Sequence, residues 1–287
     1  MSAGRIGQIG ILGLLLSTSV ASAGEECPAT SDDCVAEGHW NFSVALGAGV
    51  RTNPVHGSSD IPLVVVPQFS YYGKRFFIDD LDPGVSLYEG DSSTLSLIAS
   101  PGYDRVFFYR SDLQNFFING FPASAALAPG AHNVFVYRPT SEPEILPVRH
   151  PSITYLAGPE WTFKTGGVEG QLDVLHEITG HDHGTELRAA LGIPLGQLGG
   201  TWKMNLGLTW KSAGIVNYYY GYPGIYDANA AVNPFVKIGF SRPLSRRWRL
   251  DAFVHLERLG NGIVNSPIID QRYVKTGFVG ATYAFHH

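Results

Sequence analysis

The chain has 287 residues, 44% of them hydrophobic, with 34 Gly, 16 Phe and 14 Tyr, while charged residues stop at 16%. That composition excludes a disordered, collagen-like or coiled-coil chain, and so little charge beside so many glycines and aromatics fits many strands next to a low-dielectric neighbour. A net charge of -5 leaves no basic footprint for nucleic acid.

Residues 1–23 carry Arg5, an apolar run from Ile9 to Leu16 broken by Gly10 and Gly13, and the small residues Ala21-Ser22-Ala23. This predicts a cleavable secretory signal, because the run is far shorter than the roughly 20 apolar residues of a spanning helix. Residues 24–38 read as a periplasmic lead-in, where Cys27 and Cys34 are expected to pair in a disulfide, as exported cysteines do. The remainder, 39–287, is expected to be one domain.

No mature segment is apolar for the roughly 18 residues of a helical span, so the membrane signal is sought at period two. The first strand is expected over Trp40 to Arg51, then a loop over 52–60 and a turn at Gly73. The stretch 104–150 is irregular, and one upward strand is expected within 131–140. From Ile153 the alternation sharpens: Ile153, Tyr155, Ala157, Pro159, Trp161 and Phe163 oppose Thr154, Gly158, Glu160, Thr162 and Lys164. Leu187, Ala189, Leu191, Ile193 and Leu195 oppose Glu186 and Arg188. Along 202–211 the separation is complete, with Trp202, Met204, Leu206, Leu208 and Trp210 against Lys203, Asn205, Gly207, Thr209 and Lys211. At 248–257, Trp248, Leu250, Ala252, Val254 and Leu256 oppose Arg249, Asp251, Phe253, His255 and Glu257, with Phe253 the exception. The last strand runs from Tyr273 to Phe285.

Segments of about 10–12 residues match a tilted membrane span better than a soluble strand of about 5–6. Aromatics close their ends, as an interfacial girdle requires. Short joints at 165–167, 196–200 and 244–246 alternate with long ones at 178–184, 213–231 and 259–271, the connection pattern of a bacterial barrel. The expected fold is all-β, a closed antiparallel transmembrane β-barrel of the bacterial outer membrane with about 12 strands, in a range of 10–14. Its lipid face is expected to carry Trp202, Met204, Leu206, Leu208, Trp210, Trp248, Leu250 and Val254. Its lumen is expected to hold Glu160, Glu169, Asp173, Glu186, Arg188, Lys203, Arg249, Asp251, His255 and Glu257.

The densest chemical cluster is His176-Glu177-Ile178-Thr179-Gly180-His181-Asp182-His183. It departs from the helical zinc-protease spacing, and a polar hairpin tip is the expected role, with His181, Asp182 and His183 as weak metal candidates. Ser96, Ser152 and Ser241 fall near strands without a nucleophile elbow, and there is no phosphate-binding or dinucleotide fingerprint. No catalysis and no cofactor are expected. The clusters Tyr218–Tyr222 and Phe107–Phe117 are candidates for binding a partner or glycan, against which Tyr218–Tyr220 are expected in the membrane-interface girdle.

The C-terminal Asn265-Ser266-Pro267-Ile268-Ile269-Asp270, Tyr273 and the strand Gly277–Phe285 resemble the MipA/OmpV family of outer-membrane proteins. Leu156-Ala157-Gly158-Pro159-Glu160, Gly180-His181-Asp182-His183-Gly184 and Tyr218-Tyr219-Tyr220-Gly221 follow in the family's order. The resemblance implies an outer-membrane scaffold of the MltA-interacting type, embedded in outer-membrane lipid, that recruits a lytic transglycosylase and a peptidoglycan synthase for cell-wall biogenesis. A small diffusion channel and a surface adhesin acting through the outer loops are the alternatives.

Overall fold

The computed structural model describes residues 38–108, 133–136, 144–147 and 151–285. The expected signal, the lead-in and the pairing of Cys27 with Cys34 lie outside them.

The first strands are β1 (Trp40–Arg51), β2 (Ile61–Tyr72), β3 (Phe76–Asp79), β4 (Asp82–Glu89) and β5 (Ser93–Pro101). A 3-10 turn, η1 (Tyr103–Phe107), and a hairpin of β6 (Asn133–Val136) and β7 (Glu144–Pro147) follow. Then come β8 (Tyr155–Thr165), β9 (Val168–Glu177), β10 (Thr185–Gly196) and β11 (Thr201–Lys211). Helix α1 (Ala213–Tyr220) precedes β12 (Ala231–Pro243) and β13 (Trp248–Arg258), and α2 (Asn261–Val264) precedes β14 (Tyr273–Phe285).

Among the described residues, β1–β5 and β8–β14 close an antiparallel barrel of twelve strands, sealed where β14 pairs with β1 over Phe42 to Arg51. The count agrees with the sequence, but the expected strand within 131–140 does not join the wall. Residues 133–136 pair with 144–147 in a separate two-stranded sheet, and β5 pairs directly with β8. The wall is completed instead by β3 and β4, joined by a tight turn at Asp80, whose φ is 51°. A strand of four residues is too short for alternation to show.

Every strand needs its N–H and C=O groups paired, because the bilayer supplies no water, and ring closure pairs them without a free edge. Alternation then fixes what faces in. On β13, Asp251 and Phe253 are buried whereas Val254 is 60% exposed. Phe253, the exception in the polar row, packs with Phe278, Leu63, Ile61, Ala45 and Val66 on the inner wall. Gly47, Gly49 and Gly280 make room for the Phe278 side of that cluster: a Cβ at Gly47 would lie 2.7 Å from the Phe278 ring and 2.2 Å from the Val279 carbonyl.

Both chain ends of the barrel and its short turns lie at one rim, where aromatic side chains pair around the circumference. Trp40 contacts Phe42 and Tyr71, Trp161 contacts Phe163, Trp202 contacts Phe240, and Trp248 contacts Tyr283, with centroids 4.8–5.8 Å apart. Rings with an apolar body and a polar edge are favoured at a membrane boundary. The long connections gather at the opposite rim; the Asp80–Leu81 turn is the short exception there.

Candidate functional site

At the long-loop rim the connections fold inward as a cap. Val106 and Phe107 from η1, Ile215, Val216, Tyr219 and Tyr220 from α1, and Ile263 from α2 form one buried cluster. The cluster also takes in Val55 from the β1–β2 loop and wall residues Ile98, Leu156, Leu175 and Val274, so its packing runs from wall to wall across the mouth. The cap's polar groups are paired inside it. The Tyr219 and Thr154 hydroxyls share a hydrogen bond of 2.8 Å, Ser266 Oγ donates to the Tyr220 carbonyl at 2.5 Å, and Asn53 Nδ2 donates to the Phe107 carbonyl at 3.0 Å. Tyr219 and Tyr220 therefore do not join the interface girdle. Among the described residues they carry the largest fully buried side chains, and burial pushes both phenols up from their ordinary pKa.

Beneath the cap lies a layer of charge. Asp104 accepts from Lys211 Nζ and from the Tyr220 hydroxyl at 2.6 Å. Lys211 also lies 4.0 Å from Glu186, whose carboxylate receives Arg188 Nε at 2.6 Å. Arg188 Nη1 donates to Ser100 Oγ at 3.0 Å, and its guanidinium stands 5.8 Å from the Tyr103 ring. Buried charges persist only when partnered, and this chain of contacts supplies the partners.

Each lumenal candidate has a place. Glu160 and Asp173 oppose one another across β8 and β9, and both accept from Gln171 Nε2, at 3.0 Å for the first. Glu169 pairs with Lys203 and, at 3.2 Å, with Lys164. Arg249 Nε reaches Asp251 at 2.9 Å, and Thr282 donates to the same carboxylate at 2.5 Å. Glu257 accepts from Asn233 at 2.8 Å, and the His255 ring meets Phe235 edge-on at 5.3 Å. On the other face Trp202, Leu206, Leu208, Trp248 and Val254 are exposed, and Met204, Trp210 and Leu250 partly so.

Ser96 is buried opposite Glu160, and His176 is exposed and bonded to Thr185 at 3.0 Å. In the 178–184 loop, Glu177 turns its carboxylate inward and accepts the backbone N–H groups of Thr179, Gly180, His181 and His183 at 2.6–3.2 Å. His181 stacks with Tyr218 at 6.0 Å. Among the described residues no three His, Cys, Asp or Glu side chains converge as a metal site.

At the short-turn rim a concavity of about 430 Å³ is lined by Thr94, Thr162, Glu169, Gln171, Lys203 and Asn205. The alternation placed Lys211 on a polar face, yet nothing in the sequence joins it to Asp104, and Asp104 and Arg51 carried no signal as site residues. Such pairings exist only through ring closure.

A capped ring of twelve strands with aromatic rows at its short-turn rim and an apolar outer face defines an outer-membrane β-barrel of a Gram-negative bacterium. The chain belongs to the family described as MltA-interacting protein MipA, whose model matches residues 44–285. Among solved structures it is similar to a loop L8 deletion mutant of OmpT, an outer membrane protein of Vibrio cholerae, at 7% identity and a TM-score of 0.35, covering 86% of this chain and 99% of that one. It is also similar to a porin refined at 1.8 Å resolution, at 9% identity and a TM-score of 0.33, covering 86% and 99%. A Pseudomonas aeruginosa FadL homologue matches at 8% identity and a TM-score of 0.32, covering 86% and 90%. No curated protein matches the chain.

Proposed function

We propose that the protein is a non-catalytic scaffold of the outer membrane whose short-turn rim and N-terminal segment meet cell-wall enzymes in the periplasm. The observation that carries this reading is the asymmetry of the lumen. Among the described residues its outer mouth is filled by the cap, and its inner mouth carries a concavity lined by Thr94, Glu169, Gln171, Lys203 and Asn205. A protein organised this way presents its concave, hydrogen-bonding surface to the periplasm. The family's description, MltA-interacting protein, supports a partner of that kind; in this reading it is a lytic transglycosylase, and a peptidoglycan synthase is the second enzyme brought to it.

A diffusion channel is the second reading, favoured by the charged lumen wall, and the buried cap argues against it. An adhesin acting through the outer loops is the third, tested by loss of surface binding when 213–231 is deleted. The test of the scaffold is cross-linking in cells, purification of the tagged protein from solubilised envelope, and identification of co-purifying proteins against a tagged unrelated barrel. Enrichment of a murein hydrolase or synthase is expected. An intact, correctly located barrel that enriches neither would overturn the proposal.

A further inference from the structure

One row of lumenal side chains differs from the rest of the charged layer. Arg51 on β1 lies directly opposite Thr276 on β14, Thr276 opposite His255 on β13, and His255 opposite Lys237 on β12. Four adjacent strands therefore place three nitrogen bases and a hydroxyl side by side, at the spacing of about 4.8 Å that separates paired strands. The row continues to Asn205, opposite Lys237, which lines the concavity at the short-turn rim.

Other lumenal cations already have carboxylates: Arg188 has Glu186, Arg249 has Asp251, Lys203 has Glu169 and Lys211 has Asp104. Arg51 does not. Its side chain is buried, with the residue 5% exposed, and its Nε and Nη1 find no hydrogen-bond acceptor. Beside it the Thr276 hydroxyl, buried and on the same face, is also without a partner. The Arg51 guanidinium carbon stands 4.7 Å over the Phe107 ring. Stacking on an aromatic face fixes a guanidinium and leaves its in-plane N–H groups directed sideways, the geometry with which arginine takes a carboxylate or phosphate edge. Glu257 and Asp104 act on Arg51 through charge alone: the first accepts from Asn233, the second from Lys211 and Tyr220, and neither is hydrogen-bonded to the guanidinium.

We propose that the lumen binds a small oxyanion, a carboxylate or phosphate group, held by the Nε and Nη1 edge of Arg51 and by the Thr276 hydroxyl, with the His255 ring beside them. This site does not depend on the scaffold reading.

The test uses the full-length protein in detergent, titrated at constant ionic strength with inorganic phosphate, with acetate and with chloride, by calorimetry and by thermal unfolding. Saturable binding of phosphate or acetate over chloride is expected, and the stronger of the two identifies the chemistry. Arg51→Gln and Thr276→Val each lower that affinity, the former by at least about tenfold, as for loss of a charged hydrogen bond. Arg249→Gln, at a cation already paired with Asp251, leaves it unchanged. Thr276→Val keeps side-chain shape and serves where Arg51→Gln fails to fold. No saturable effect beyond chloride, or equal affinity in Thr276→Val and wild type, overturns the site.

Discussion

Lys211 at the end of β11 donates from Nζ to the carboxylate of Asp104 in η1, 107 residues upstream, and both side chains are less than a tenth exposed. The pair ties the cap to the wall, since Asp104 also accepts from Tyr220 of α1 at 2.6 Å. Removing one member leaves a buried charge with half its partners. Lys211→Met is expected to destabilise the barrel by about 3–5 kcal/mol, and the double variant with Asp104→Asn to recover much of that loss. Denaturant titration in lipid bilayers measures it; additive single and double effects would remove the latch.

If the cap closes the outer mouth, the wild-type protein shows no stable conductance steps in a planar bilayer. Tyr220→Ala with Ile263→Ala removes two side chains of negligible exposure from the centre of the cluster and is expected to produce them. Steps of equal size in both proteins would mean that the path for ions bypasses the cap.

Alkali tests the cap differently. Burial raises the phenols of Tyr219 and Tyr220, both on α1, so the folded cap holds its protons beyond the unfolded value of about 10. Their contribution to stability is complete below that pH and is lost as pH rises above it. Phenolate absorbance is expected to show the exposed tyrosines titrating first and these two ionising only in a late step that coincides with cap opening. Ionisation of all tyrosines in one early transition would contradict their burial.

On the outer wall, Leu206→Arg places a charge in mid-span on the exposed face and is expected to cost roughly 2–4 kcal/mol, whereas Asn205→Ala, one residue away and facing in, costs little. Reversible unfolding into urea from bilayers separates the two. Equal costs would invert the facing of β11.

The 178–184 loop depends on one carboxylate. Glu177→Gln trades an anionic acceptor of four close N–H groups for a neutral amide that also donates, and is expected to speed amide exchange of Thr179, Gly180, His181 and His183 by about tenfold or more. Unchanged exchange would mean that the turn is held by its backbone alone.

By itself the sequence determined the class of fold. Alternation such as Trp202 to Trp210 against Lys203 to Lys211 is a local property, set by the two-residue period of a strand, and length, aromatic ends and joint parity are local too. It therefore reached twelve strands, but it misplaced one, because β3, at four residues, is too short to carry a pattern and 133–136 pairs outside the wall. What tertiary structure decided was everything that crosses the lumen. Tyr219 and Tyr220 look like girdle residues in a linear reading, yet α1 turns them inward onto Ile263 and Val106. The pairing of Lys211 with Asp104, and of Arg51 on the first strand with Thr276 on the last, join segments far apart in sequence. Only closure of the ring brings those segments to one level, and only there do burial and charge make the pairings matter.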